Sequence, residues 1–129
     1  MFDWRLPRED GDLAYAVEYN PQEFELGDIV HLCAAVAGMN DELDWYWIAL
    51  LRDGSYRLIW GGCDYTGWDC QSWLESQLAA TALEAAKLAP EEEDYSHREI
   101  RKQLTLQITG KQPYGLYVED AGLEVLIGD

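Results

Sequence analysis

The clearest hydrophobic pattern in the chain is DWYWIALLR followed by SYRLIWGGC, two apolar runs that flank Asp53-Gly54. A DG pair between apolar runs is a strong hairpin signal. Read as a two-residue turn, it sets Arg52 opposite Ser55, then Leu51 opposite Tyr56, Ala49 opposite Leu58, Trp47 opposite Trp60 and Trp45 opposite Gly62. The other face then holds Tyr46, Ile48, Leu50, Arg57, Ile59 and Cys63. Both faces are apolar, so the hairpin over 44–63 is expected at the centre of a sheet and covered on each side. Gly62 offers bare backbone to the Trp45 indole.

Elsewhere the pattern is weaker. Leu13, Tyr15, Val17 and Tyr19 alternate, which predicts a short strand or an ordered arm over residues 1–20. Asn20-Pro21 reads as a helix start, with Phe24, Ile29, Leu32, Cys33 and Val36 at an approximate 3.6 period and Gly38 as the stop. That places a helix over 21–38. QSWLESQLA (71–79) predicts a third strand, completing antiparallel strands over 44–80. Thr81-Ala82-Leu83-Glu84 is a capping box that opens a helix at 82–89, stopped by Pro90. Glu91-Glu92-Glu93-Asp94 reads as a solvated linker or a first helical turn. A second box, Ser96 to Glu99, opens a helix that runs to about Ile108 and ends at Gly110. The segment 111–129 alternates around Ala121-Gly122 and reads as a weak hairpin or an edge strand. The sum is a single α+β domain: a three- or four-stranded antiparallel sheet with two or three packed helices.

Charge changes this picture most. Twenty-five acids against nine bases leave a net charge of −16 on 129 residues, far beyond what solubility requires. From Glu9 to Leu51 there are ten acids and no Lys or Arg, whereas four of the nine bases fall between Arg98 and Lys111. Direct binding to nucleic acid or to an anionic membrane has the wrong electrostatic sign. An acidic surface can serve solubility alone, or it can imitate nucleic acid and occupy a basic groove on another protein. No 18-residue apolar run is present, and the N-terminus lacks a signal-peptide pattern, so a cytoplasmic location is expected.

The stretch GGCDYTGWDCQSW (61–73) concentrates the candidate chemistry. Cys63 and Cys70 are too widely spaced for half of a zinc site, and His31 and His97 add no metal-like spacing. A Cys63–Cys70 disulfide requires that the flanking strands bring the two Cα atoms close. Phosphate-loop, dinucleotide, HExxH and GxSxG patterns are absent. Asp64 and Asp69 form the one carboxylate pair that a small hydrolase or metal-dependent enzyme would use. The simpler account is structural, with Asp64 capping the turn, Gly67 at positive φ and Asp69 accepting backbone donors. On that account Tyr65 and Trp68 fold back over the hairpin end; as a contact loop, the turn would instead present them to a partner.

The run WYWIALLRDGSYRLIWGGCDYTGWDCQSW resembles a segment of small uncharacterised bacterial and phage proteins, in which an Asp-Trp strand, a DG turn and a GCDYTGWDCQ loop follow one another. The resemblance covers roughly residues 40–110. It implies an accessory protein of the phage or mobile-element kind and transfers no activity and no residue role. Joined to the acidity, it leads to a non-enzymatic inhibitor of anti-CRISPR or anti-restriction type, with no cofactor and no metal. Its partner would be a basic, nucleic-acid-binding host protein or complex. The partner-binding candidates are Asp10, Asp12, Asp41, Glu42, Asp44, Tyr65, Trp68, Glu91, Glu92, Glu93 and Asp94. The alternatives are the Asp64/Asp69 enzyme and an acidic accessory domain without mimicry.

Overall fold

The computed structural model describes residues 5–91 and 99–115. Four strands form one antiparallel meander in the order β1 (Ile29–Val36), β2 (Trp45–Leu51), β3 (Tyr56–Asp64) and β4 (Gly67–Ala79). Helix α1 (Gly11–Tyr19) packs on one face, and α2 (Ala82–Leu88) with α3 (Ile100–Ile108) on the other. The expected α+β class and antiparallel sheet are therefore present, with four strands and three helices. The expectations for 1–4, 92–98 and 116–129, including the tail strand, lie outside the described residues.

Two N-terminal expectations are corrected. Residues 11–19 are helical rather than extended, because the buried side chains are Leu13, Ala16 and Val17, one helical stripe at i, i+3 and i+4. Asp10 supplies the N-cap, its Oδ1 accepting from Leu13 N at 3.1 Å. Asn20 is the C-cap of this helix, and Pro21 follows where a helix cannot continue. The predicted 21–38 helix is instead a short 3-10 turn (Leu26–Asp28) leading into β1. IVHLCAAV is buried along most of its length, so its apolar run carries no period that separates a strand from a helix.

The hairpin register also differs by one residue. Leu50 pairs with Tyr56, Ile48 with Leu58, Trp47 with Ile59, Tyr46 with Trp60 and Trp45 with Gly61. The turn holds three residues, Arg52, Asp53 and Gly54, closed by Leu51 N donating to Ser55 O at 2.8 Å. Gly54 takes φ 90, the left-handed position that such a loop assigns to glycine. Asp53 Oδ1 accepts from Ser55 N at 2.9 Å and Ser55 Oγ at 2.6 Å. A one-residue slip exchanges faces: Ile59 and Cys63 join Trp45 and Trp47 under α1, while Leu58 and Trp60 join Tyr46 and Ile48 under α2 and α3. Gly38 makes the room for Trp45, since a Cβ there would strike Leu43 O and the indole.

The C-terminal helices are present, but α3 does not open from the Ser96–Glu99 box: Glu99 is the left-handed residue before it, at φ 54, and the helix starts at Ile100. Thr81 Oγ1 accepts from Glu84 N at 3.0 Å to start α2. Gly110 ends α3 at φ 81, with Lys111 N donating to Leu106 O at 2.8 Å. Buried Gln107 then ties α3 to the outer edge of β1: it accepts from Ala35 N and donates to Ala35 O, both at 2.8 Å.

Candidate functional site

In an antiparallel meander the β1–β2 and β3–β4 connections lie at the same end of the sheet. That topology gathers carboxylates that are far apart in sequence. The β1–β2 loop carries Asp41, Glu42 and Asp44, and the β3–β4 turn carries Asp64. Between them lies a cleft of about 440 Å³, with Gly62 and Cys63 on its floor and Gln71 and Trp73 on the β4 side. No Lys or Arg lines it.

The loop is fixed rather than loose. Met39 and Leu43 exchange two backbone hydrogen bonds of 2.9 Å, and Asp41 N donates to Cys63 O at 2.9 Å. Asp41 itself sits at φ 66, a left-handed conformation that aspartate tolerates better than most residues. Gly62 lies close beneath the cleft: a Cβ there would lie 3.0 Å from Asp44 Oδ1 and 3.1 Å from Trp73 Nε1, so both side chains would have to give by a few tenths of an ångström.

Cys63 reports the local field. Its thiol is pushed up by burial first, and then by the negative charges of Asp12, Asp64 and Asp41. Three carboxylates from α1, the β3–β4 turn and the β1–β2 loop thus act on one sulfur. Asp64 is held below the usual carboxylate range, chiefly by the Thr66 hydroxyl, which donates at 2.6 Å; Thr66 N donates to the same oxygen at 3.0 Å. This is the capping role the sequence suggested for it, and Gly67 has the expected positive φ, at 103. A carboxyl held ionised in this way is poorly suited to act as a general acid.

The other end of the sheet mixes bases with its acids, Arg52 and Arg57 beside Glu23, Asp28 and Asp53. Arg57, 9% exposed, pairs with Glu23 at 3.1 Å, and Arg52 Nη2 donates to Gly27 O at 2.7 Å. The negative charge is therefore concentrated by position and not only by composition.

The remaining candidates divide clearly. Asp12 is exposed in the first turn of α1 and adds negative charge toward Cys63, but it does not line the cleft. Asp10 is committed inside the fold: beyond capping α1, its Oδ2 accepts from Trp47 Nε1 at 3.0 Å and from the Tyr114 hydroxyl at 2.7 Å. Tyr65 is 78% exposed at the turn tip. Trp68 is corrected from surface to core: it is 6% exposed, its ring edge-on to Trp45 at 5.0 Å. The turn presents Tyr65 alone because strand alternation sends Trp68 inward. Glu91 lies elsewhere and faces Arg101 at 3.5 Å; Glu92, Glu93 and Asp94 are outside the described residues. Cys63 stands opposite Ser72, so Cys70 is out of reach and both thiols are free.

Two features escaped the sequence reasoning. Asp64 joins the acidic cleft as well as capping its turn. Tyr15 and Tyr19 stack on the exposed face of α1, 6.5 Å apart with 17° between planes, which their i, i+4 spacing implies once the segment is helical. No family model matches the chain, and comparison with curated proteins and with solved structures returns no match either. Among the described residues no helix is long and apolar enough to cross a membrane, and no group of three or more His, Cys, Asp or Glu has a metal-binding arrangement.

Proposed function

We propose that the chain is a non-enzymatic acidic binding protein. Its cleft end, bordered by Asp41, Glu42, Asp44 and Asp64, occupies the basic groove of a nucleic-acid-binding host protein or complex in place of nucleic acid. The observation that carries this reading is the cleft at one sheet end, bordered by Asp41, Glu42, Asp44 and Asp64 and lined by no Lys or Arg. A fixed cluster of this kind focuses negative potential and steers a cationic partner more strongly than the same charges scattered. With the phage-type kinship that the sequence reading expects for 40–110, the proposal narrows to an inhibitor of anti-CRISPR or anti-restriction type, acting in the cytoplasm.

The test is a phage- or plasmid-challenge assay in cells that carry a restriction or CRISPR system. The parent chain is compared with Asp41→Asn/Glu42→Gln/Asp44→Asn. Protection by the parent, lost in the triple variant, supports the proposal. The corresponding pull-down must weaken steeply as salt rises, because charge mimicry is screened. Absence of protection, or capture indifferent to salt and to the triple substitution, overturns it.

A further inference from the structure

Helix α1 turns its Leu13, Ala16 and Val17 stripe inward and a second stripe, Asp12, Tyr15, Glu18 and Tyr19, outward. Tyr15 is 59% exposed and Tyr19 46%, and their rings stack on each other at the surface. Tyrosine is enriched where proteins meet, since its ring supplies a large contact area with few torsions to fix.

The surroundings of this pair are acidic. Asp12 and Glu18 lie one helical turn on either side of Tyr15. Asp69, exposed near the start of β4, reaches the same patch from the sheet: the Tyr19 hydroxyl is pushed up first by the charge of Glu18, then by desolvation, Asp69 and Tyr15. From Glu9 to Leu51 the sequence holds no Lys or Arg. The stripe also runs beside the acidic cleft. The charge of Asp12 is felt at Cys63 on the cleft floor, and Asn20, the C-cap of α1, donates to Ser72 Oγ of the cleft wall at 2.8 Å.

We infer that the outer face of α1 docks an arginine-bearing basic segment of a protein partner, whose guanidinium groups stack on Tyr15 and Tyr19 and donate to Asp12, Glu18 and Asp69. Charge complementarity selects this occupant. A guanidinium has a flat, weakly hydrated face for a ring and a fork of donors for a carboxylate, whereas a lysine ammonium satisfies the carboxylates and stacks poorly. An apolar partner would bury three carboxylates without counter-charge. A second copy of this chain would set acids against acids. This reading of α1 rests on the cationic partner proposed above and adds a second contact face with its own chemistry.

Fluorescence anisotropy of dye-labelled nona-arginine and nona-lysine peptides, titrated with the full chain at about 0.15 M salt, tests it. Tyr15→Leu/Tyr19→Leu leaves the charge unchanged and suits a helix. It is expected to weaken nona-arginine binding about fivefold and nona-lysine binding less than about twofold. Tyr15→Phe/Tyr19→Phe keeps both rings and is expected to bind as the parent does. Loss of both peptides to the same degree in the leucine variant, or loss of neither, overturns the inference. Should the double leucine variant fail to fold, Tyr15→Leu and Tyr19→Leu decide it singly, each expected to lose part of the nona-arginine affinity alone. The mimicry reading fails separately: a parent chain that gives cells no protection refutes that reading, whereas the arginine preference stands or falls with the two tyrosines.

Discussion

Asp10 offers the sharpest test of how this fold uses its carboxylates. It looks like one more surface acid in a chain of net charge −16, and removing a surface acid from such a chain should relieve repulsion and stabilise slightly. The structure predicts the opposite. Asp10→Ala removes the N-cap of α1, worth about 1 kcal/mol. It also strips the acceptor from Trp47 Nε1 and from the Tyr114 hydroxyl, on side chains that are 1% and 7% exposed. Each buried donor left without a partner costs about 1–3 kcal/mol. Because the three share one carboxylate and relax together, the expected total is about 3–5 kcal/mol rather than the full sum.

Urea unfolding followed by far-ultraviolet circular dichroism measures this directly. With a slope of about 2 kcal/mol per M, the midpoint should fall by about 2 M. Asp10→Asn keeps a capping oxygen and should lie between the parent and the alanine variant. In a Trp47→Phe background the cost of Asp10→Ala should shrink by about 1–2 kcal/mol, since the indole donor is then absent. A midpoint shift under about 0.3 M, or a rise in stability, would refute the assignment of Asp10 to the interior.

Three further outcomes follow from the same accounting. Gln107→Leu leaves Ala35 N, Ala35 O and Gly115 N without their amide partner and should cost about 2–4 kcal/mol in the same urea assay. Burial pushes the Cys33 thiol up to about 12 from 9.0, and it also raises the Tyr114 hydroxyl. For both, the unfolded chain loses its proton first, so the stability is whole below the unfolded value and is lost as pH rises through the folded one. Unfolding should therefore set in above about pH 9, and Cys33→Ala should flatten the stability–pH curve between about 9 and 12. Finally, a thiol reagent at pH 8 should label Cys70 quickly and Cys63 slowly, and Asp41→Asn should speed Cys63 severalfold; an unchanged rate would separate Asp41 from the field at that sulfur.

What could be read from the sequence depended on whether a local signal had competition. Thr81 with Glu84, and Gly110 after α3, have one physical meaning each, and both elements formed where their signals stood. Asn20-Pro21 has two meanings: a capping pair before a helix, or the stop after one. The choice depended on α1, whose stripe used Ala16, a residue too small to mark a periodicity. β1 hid for another reason, because its buried run erases the alternation that identifies a strand. The register of the hairpin turned on a single residue, since Asp53-Gly54 serves both a two-residue turn and the three-residue loop that forms. Of the candidate site, Asp41, Glu42 and Asp44 were legible as acids. Their proximity to Asp64 was not, because it arises from strand order.

Strand order is also why net charge alone is a poor guide to what this chain does. The meander sends the β2–β3 turn to one end and the β1–β2 and β3–β4 connections to the other. At the first end Arg57 answers Glu23, and Arg52 is anchored on Gly27. At the second end four acids border a cleft lined by no Lys or Arg, and two of them, Asp64 and Asp41, join burial and Asp12 in pushing up the Cys63 thiol. Dispersed charge would solubilise equally well with less self-repulsion than a cleft lined by acids alone. The cost of that concentration is carried by local devices: the Asp41 N to Cys63 O bond and the Thr66 hydroxyl on Asp64. Each holds a carboxylate-bearing loop in place against its neighbours' repulsion, and it is this fixed arrangement, more than the total of −16, that a cationic groove would recognise.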